Sequence, residues 1–460
     1  MARNWTKDQK NAIRVRNKRV LVSAAAGSGK TAVLVERIIE RILDGEDPAD
    51  VDELLVMTFT KAAAAQMKER IYRRVEEAIF QYPAASPEYE RLKRQAALIE
   101  HARIMTIDSF CFSLIREHID KLSIDPAFRI ASEGEIRMLR DEVAKEVLEE
   151  AYAEKNPRFI ALADAFAKTR SDIRLSEFME NVFDFVEASP WPKELLEKLA
   201  KEYEKERQDR EWEKYIVKEI KAAGAEIEKS IEQAIGFCEE PGGPESYKKT
   251  FLYEKDQIRG LSEAKDFEEL QRRLLSMEFP NIGRVPKDRD EVLKEKAKRI
   301  RDHYKKFLKE ELIKNFAADR EKMDKELEAE KETVSALLDL TKRFAELFAQ
   351  KKLERNIADF NDLEHFALEI LWKEEGGERK RSEAALEYRE MFKEIYVDEY
   401  QDSNEVQEEL IKAIEKGNVF MVGDVKQSIY GFRQAKPSLF IQKYREYEVF
   451  DREENQKESP

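Results

Sequence analysis

The residues Ala24, Ala25, Ala26, Gly27, Ser28, Gly29, Lys30 and Thr31 lie between an apolar, β-branched run and a stretch of helical spacing. A loop of small residues in that position can wrap closely round an anion with its backbone N–H groups turned inward. Gly27 and Gly29 open backbone geometries closed to other residues, and a helix starting near Lys30 adds its N-terminal amides. The Lys30 ammonium can reach the outer phosphates of a nucleoside triphosphate, and the Thr31 hydroxyl can ligate Mg²⁺. The run completes a Walker A pattern whose first position is Ala24 rather than Gly. A second constellation, Asp398 and Glu399 in VDEYQD, follows another short apolar run. Adjacent side chains at a strand end point to opposite sides. Asp398 is therefore read as the residue that holds Mg²⁺, and Glu399 as the base that activates the attacking water.

These groups need a scaffold that brings distant segments together. RVLVSA (19–24), LLVMTF (54–59) and RIMTI (103–107) read as buried strands. Helices are expected after each, through Val33, Leu34, Ile38, Ile39 and Ile42, from about Lys61 to Phe80, and after Asp108. EIYVDEYQD (394–402) and NVFMVGD (418–424) read as further strands, with a helix between them through Val406, Leu410, Ile411 and Ile414. Strands alternating with helices imply a parallel sheet covered on both faces. From roughly 130 to 350 the chain is rich in Glu, Lys, Arg and Leu and poor in strand signals. Met323, Leu327, Val334, Leu337, Leu338, Phe344 and Phe348 mark one face of a long helix. SPWP, PGGPES, FPNIGRVPKD and EEGGE (374–378) read as breaks. The expected fold class is α/β: a phosphate-loop sheet domain (1–130 and 351–450) interrupted by a large all-helical insertion (131–350), with a polar tail (451–460).

Composition narrows the class. Of 460 residues, 42% are hydrophobic, which suits a folded chain, and 39% are charged, which suits extensive solvated helix surface. The two cysteines, Cys111 and Cys238, exclude a disulfide scaffold or a Cys-rich zinc site, and the four histidines are scattered. No apolar run is long enough to span a membrane, and MARNWTKDQK lacks a secretory signal's apolar stretch, so a cytoplasmic setting is expected. The net charge of −14 argues against a wholly electrostatic nucleic-acid coat but leaves room for a local basic channel.

Taken in order, the motifs resemble those of superfamily-one DNA helicases of the UvrD/Rep type, and within that group the AddA helicase–nucleases. WTKDQKNAI (5–13) resembles the Q motif, VMTFTKAAAAQMKERI (56–71) motif Ia, and RIMTIDSFCFSLIREH (103–118) the next DNA-contact motif. DFNDLEHFAL (359–368) resembles the segment before motif II, VDEYQD motif II, and VGDVKQSIYGFRQA (422–435) motif III. The loop departs from the group's usual AGAGSGKT at Ala25, and Ala32 stands where relatives often carry a basic residue. The resemblance implies ATP with Mg²⁺ as cofactors, ATP held by Ser23 to Thr31 with Gln9 reading adenine, and Gln427 as the γ-phosphate sensor. It implies DNA contacts from Thr58, Phe59 and Thr60, from Thr106, Asp108, Ser109 and Phe110, and from Tyr430, Phe432 and Arg433. Bases would stack on the aromatics, each stack worth roughly 1–3 kcal/mol.

The implied activity is ATP-driven 3′-to-5′ translocation in double-strand-break repair and recombination, on single-stranded and duplex DNA, with an AddB-like partner. No segment after Arg433 resembles a second motor domain or a nuclease, so the chain is expected to correspond to the first part of a full-length member. A stand-alone UvrD-type helicase fragment and a non-hydrolysing DNA- or partner-binding module are the alternatives.

Overall fold

In the computed structural model, residues 5–25, 27–166, 172–204, 211–286, 288–316, 320–428 and 435–450 are described. The chain begins with α1 (Lys7–Arg14), β1 (Val20–Ser23), α2 (Lys30–Ile42), β2 (Leu54–Thr58), α3 (Lys61–Ile79), α4 (Pro87–Leu98), β3 (Arg103–Thr106), α5 (Ile107–Glu117), β4 (Arg129–Ile130) and α6 (Glu133–Glu154). A helical stretch follows: α7 (Pro157–Phe166), α8 (Ile173–Glu187), α9 (Pro192–Glu204), α10 (Glu211–Glu239), α11 (Lys248–Glu263), α12 (Phe267–Leu275), α13 (Glu291–Phe307), the short α14 (Lys314–Phe316) and α15 (Arg320–Glu354). Then come β5 (Ile357–Ala358), α16 (Phe360–Leu371), β6 (Trp372–Glu375), β7 (Glu378–Arg381), α17 (Glu383–Met391), β8 (Glu394–Val397), α18 (Glu405–Ile414), β9 (Val419–Gly423) and α19 (Pro437–Glu446).

The described residues pack as two units. The first draws on Met1–Glu150, Ser176–Leu195 and Thr341–Pro460. Its centre is a five-stranded parallel sheet in the order β1-β9-β8-β2-β3. The sequence-distant β8 and β9 lie between β1 and β2. Every residue of β2, β8 and β9 is buried, which accounts for their continuous apolar runs. One face of the sheet packs on α2 and α3 through Leu34, Ile38, Val56, Ile71 and Phe420. The other packs on α5, α16 and α18 through Leu55, Leu114, Leu368, Leu410 and Met421.

A buried ion pair ties the first face together. Arg37 of α2 is fully buried and bonds Glu394 of β8 and the Ala12 carbonyl of the α1 helix, with its guanidinium over the Phe420 ring. The second unit comprises Ala151–Leu175 and Leu196–Leu340. Its core is built by α10, α11, α12 and α13, around Ile231, Phe251, Leu270 and Ala297. There Glu254 accepts bonds from Arg301 and Tyr304, and Arg301 also reaches the Pro280 carbonyl.

One local feature differs from the sequence expectation and a second adds to it. EEGGE is not a plain break but turns a hairpin: β6 and β7 pair antiparallel across Gly376 and Gly377, both at positive φ, as a two-residue turn between twisted strands requires. The segment before β1 holds α1, fixed by a reciprocal cap between Thr6 and Gln9.

Candidate nucleotide and strand-exit site

Parallel registration places the strand ends that lead into the described candidate segments at one edge of the sheet. Ser23 pairs with Gly423, Val397 with both Met421 and Met57, and Thr58 with Thr106. The carboxyl ends of all five strands are therefore level, which is where open α/β sheets present ligands. The loop from Ala24 leaves β1, Asp398 leaves β8, Asp424 leaves β9, Phe59 leaves β2 and Ile107 leaves β3.

The loop is anchored at both ends. The Ala24 amide donates to the Gly423 carbonyl, and the Ser28 amide to that of Ala25. Gly27 and Gly29 have φ of 76° and 88°, the left-handed geometry that only glycine adopts without cost. Gly29 caps α2 with no side-chain bond, so the first-turn amides keep the partial positive charge of a helix start. Ser23, Ala25, Gly27 and Ser28 are exposed; Ala24, Gly29 and Thr31 are half-buried. The Gln9 amide nitrogen donates to the Ser28 carbonyl at 3.0 Å while its oxygen accepts from the Thr6 amide. Gln9 thus braces the loop from α1.

Lys30 is the charged centre. Its side chain is only 10% exposed. Its ammonium is enclosed and makes no hydrogen bond among the described residues; Glu399 Oε2 lies 3.5 Å away as an ion pair. An enclosed cation with one loosely placed counter-charge is poised for a stronger anion.

Glu399 sits in the left-handed region at φ 54°, a conformation costing roughly 1–2 kcal/mol for a side-chain-bearing residue. Its carbonyl accepts from the Asp402 amide, closing the turn after β8. Burial, then the neighbouring Glu399 carboxylate, pushes the Asp398 carboxyl up to about 6. Lys30 and Arg70 pull it the other way. A half-buried carboxyl that resists ionisation is one a cation would stabilise in its charged form. With Thr31 the donor set is hard oxygen, which suits Mg²⁺; that ion needs only one or two protein ligands beside phosphate and water. No cluster of three or more His, Cys, Asp or Glu able to hold a metal occurs among the described residues.

At the other exits, Thr58 and Thr106 are buried. Thr58 donates to the Thr60 carbonyl, Thr60 caps α3 through the Ala63 amide, and Thr106 caps α5 through the Ser109 amide. Phe59 is half-buried and Thr60 exposed, and Asp108 and Ser109 are half-buried. Phe110 corrects the sequence reading. It is 1% exposed and packs edge-on to Tyr388 at 5.7 Å, beside Phe392. Because α5 starts at Ile107, Phe110 shares the inward face of Cys111 and Leu114, and it is a core residue rather than a base-stacking one. Gln427 is half-buried and bonds Asp424. Ala26, Tyr430, Phe432 and Arg433 lie outside the described residues.

Sequence reasoning passes over Gln401. It is buried and connects the acids after β8 to the end of β9. A Gln between acids in VDEYQD is the one available signal.

The sequence model of the UvrD/REP helicase N-terminal domain matches residues 5–448. The chain belongs to this family. Curated relatives named as the A subunit of an ATP-dependent helicase/nuclease are similar along almost all of it. The relative from Acetivibrio thermocellus is 40% identical over 96% of the chain, that from Geobacillus kaustophilus 41% over 96%, and that from a Thermoanaerobacter species 40% over 99%. Those matches span 36%, 37% and 38% of the relatives. The chain therefore covers a little over a third of the length of these UvrD/REP-family proteins.

Proposed function

We infer that the chain is the ATP-binding motor portion of an ATP-dependent 3′-to-5′ DNA helicase, of the AddA helicase–nuclease kind, working in double-strand-break repair and recombination in the cytoplasm. In this reading the sheet unit is a RecA-like phosphate-loop domain and the helical stretch an insertion into it. The partners are single-stranded and duplex DNA, a second motor domain and an AddB-like protein. The observation that carries the reading is the enclosed Lys30 ammonium at the start of α2, facing the acidic turn after β8.

The chemistry follows from these groups. The loop amides and Lys30 take the β- and γ-phosphates, and Lys30 leaves Glu399 for the stronger anion. Thr31 and Asp398 would hold Mg²⁺, which supplies charge neutralisation on the phosphate oxygens. Glu399, relieved of its cation, accepts a proton from water as the water oxygen bonds to the γ-phosphorus and the bond to the β-phosphate oxygen breaks. Gln427 senses the phosphate that departs. Phe59 and Thr60, at the β2 exit, meet the single strand.

Two variants test this in a polypeptide of the relatives' full length. Lys30→Ala should abolish productive Mg·ATP binding or turnover while leaving the melting temperature unchanged, because Lys30 supplies charge to a phosphate and no core contact. Glu399→Gln should retain Mg·ATP binding and lose about 10²–10⁴ in turnover, the usual contribution of a general base. Unchanged hydrolysis in Lys30→Ala would overturn the assignment.

A further inference from the structure

The Gln401 side chain, 1% exposed, lies between the two strand exits that carry the chemistry. Its amide nitrogen donates to Glu399 Oε2 at 2.9 Å and to Asp402 Oδ2 at 3.1 Å. Its amide oxygen accepts from the backbone N–H of Asp424 at 2.9 Å. Its own carbonyl accepts from the Ser428 hydroxyl at 3.4 Å. Two carboxylates on one side and an N–H donor on the other fix which way the amide points. The chain makes room for it: a Cβ at Gly423 would collide with Gln401 Oε1 and come within 2.9 Å of Phe440 Cε2.

We propose that Gln401 is a positioning residue, holding the Glu399 carboxylate against the turn after β8 and tying it to the Asp424–Gln427 segment, so that base and phosphate sensor are placed as one body. The inference rests on the reading of Glu399 as the base. Lys30 and Gln401 share the same oxygen, Glu399 Oε2. When a triphosphate draws Lys30 away, Gln401 is, among the described residues, the contact left to keep the carboxylate from swinging. The same amide reports inward, because Asp424, whose N–H it receives, accepts a bond from Gln427. Only an amide of this length serves. A carboxylate would set acceptor against acceptor at Glu399 and Asp402, and an apolar chain would leave a buried backbone N–H unpaired.

The test is steady-state ATP hydrolysis by the full-length polypeptide with single-stranded DNA, for Gln401→Met, Gln401→Glu, Glu399→Gln and the double variant Glu399→Gln/Gln401→Met. Gln401→Met keeps the length that packs on Gly423, so it serves where Gln401→Glu does not fold. Both Gln401 variants should lower kcat on the order of 10–100-fold, as small misplacements of a reacting group do, while KM for Mg·ATP stays within about threefold. Gln401→Met should add less than about twofold to the loss already caused by Glu399→Gln, since groups acting through one another are not additive. An unchanged kcat in Gln401→Met, or losses that multiply in the double variant, would overturn the positioning role while leaving the base in place. Full turnover in Glu399→Gln would instead overturn the base, and this inference with it.

Discussion

At the scale of single residues, the site is held by contacts that differ in kind from those of the core beside it. Lys30 is enclosed yet weakly partnered, whereas Arg37, two turns further along the same face of α2, is fully buried with a carboxylate, a carbonyl and a ring. Arg37 spends its charge on the fold, and in the proposed reading Lys30 keeps its charge for a phosphate. The two phenylalanines at the neighbouring strand exits divide in the same way. Phe59 is half-buried beyond β2, while Phe110 is packed under Tyr388 and Phe392. Phe59→Ala should weaken single-stranded DNA binding by about 1–3 kcal/mol with little dependence on base sequence, and leave the melting temperature nearly unchanged. Phe110→Ala should instead destabilise the fold by about 3–5 kcal/mol, with no selective loss of DNA affinity. Fluorescence titration with an oligonucleotide beside a thermal melt separates the two, and a reversed pattern would mean that the exits have been assigned the wrong way round.

Among elements, the strands and the helices flanking them are legible because burial on both faces leaves so few residue choices: LLVMT and VFMVG read as strands on apolarity alone. The sheet order is not legible. Nothing local in β8 or β9 says that they insert between β1 and β2; that follows from long-range pairings. The hairpin at Gly376 and Gly377 escapes notice because a glycine pair ends one element and turns another with the same chemistry. Phe110 misleads because α5 starts at Ile107, ahead of the helix expected after Asp108, and the ring falls on the inward face with Cys111 and Leu114. Gln401 is hidden because a polar residue between acids looks solvated until the fold buries it. The packing of α16 on α18 conceals another such group. Glu364 is buried, accepts bonds from Gln407 at 2.8 Å and Asn404 at 3.4 Å, and is pushed by burial, with Asp108 adding to it, from an ordinary 4.5 up to about 7. Since its folded value is raised, the proton is bound more tightly when folded. That stabilisation is complete below about 4.5 and is lost as pH rises through about 7. Glu364→Gln should therefore gain stability relative to the parent between about pH 5 and pH 8, by on the order of 3 kcal/mol. Denaturant unfolding at the two pH values measures it, and a difference independent of pH would refute the assignment.

For the whole molecule, the net charge of −14 sets the terms on which a nucleic acid can be met. In the proposed reading that charge gives no overall attraction, so affinity for a strand rests on local positive groups, backbone contacts and stacking at the level edge of the sheet, where β1, β9, β8, β2 and β3 all end. In the same reading that edge is also the nucleotide's side. Among the described residues there, Lys30 is an enclosed cation that in this reading faces the charge developing on a departing phosphate. In phosphoryl-transfer enzymes an additional arginine is worth about 10³–10⁵ in rate. Water at an open edge also weakens each charge interaction with the γ-phosphate. The curated relatives are nearly three times as long as the segment they share with this chain, which covers 36–38% of them. The 460 residues alone should accordingly bind Mg·ATP weakly and hydrolyse it far more slowly than a polypeptide of the relatives' length. They should also fail to separate strands, since unwinding in this reading needs a second motor domain to close against. Steady-state hydrolysis with and without single-stranded DNA, together with a strand-separation assay on both lengths, measures this. Fast DNA-stimulated turnover by the 460-residue chain as a monomer would refute the argument, because the additional cation would then be supplied from within it.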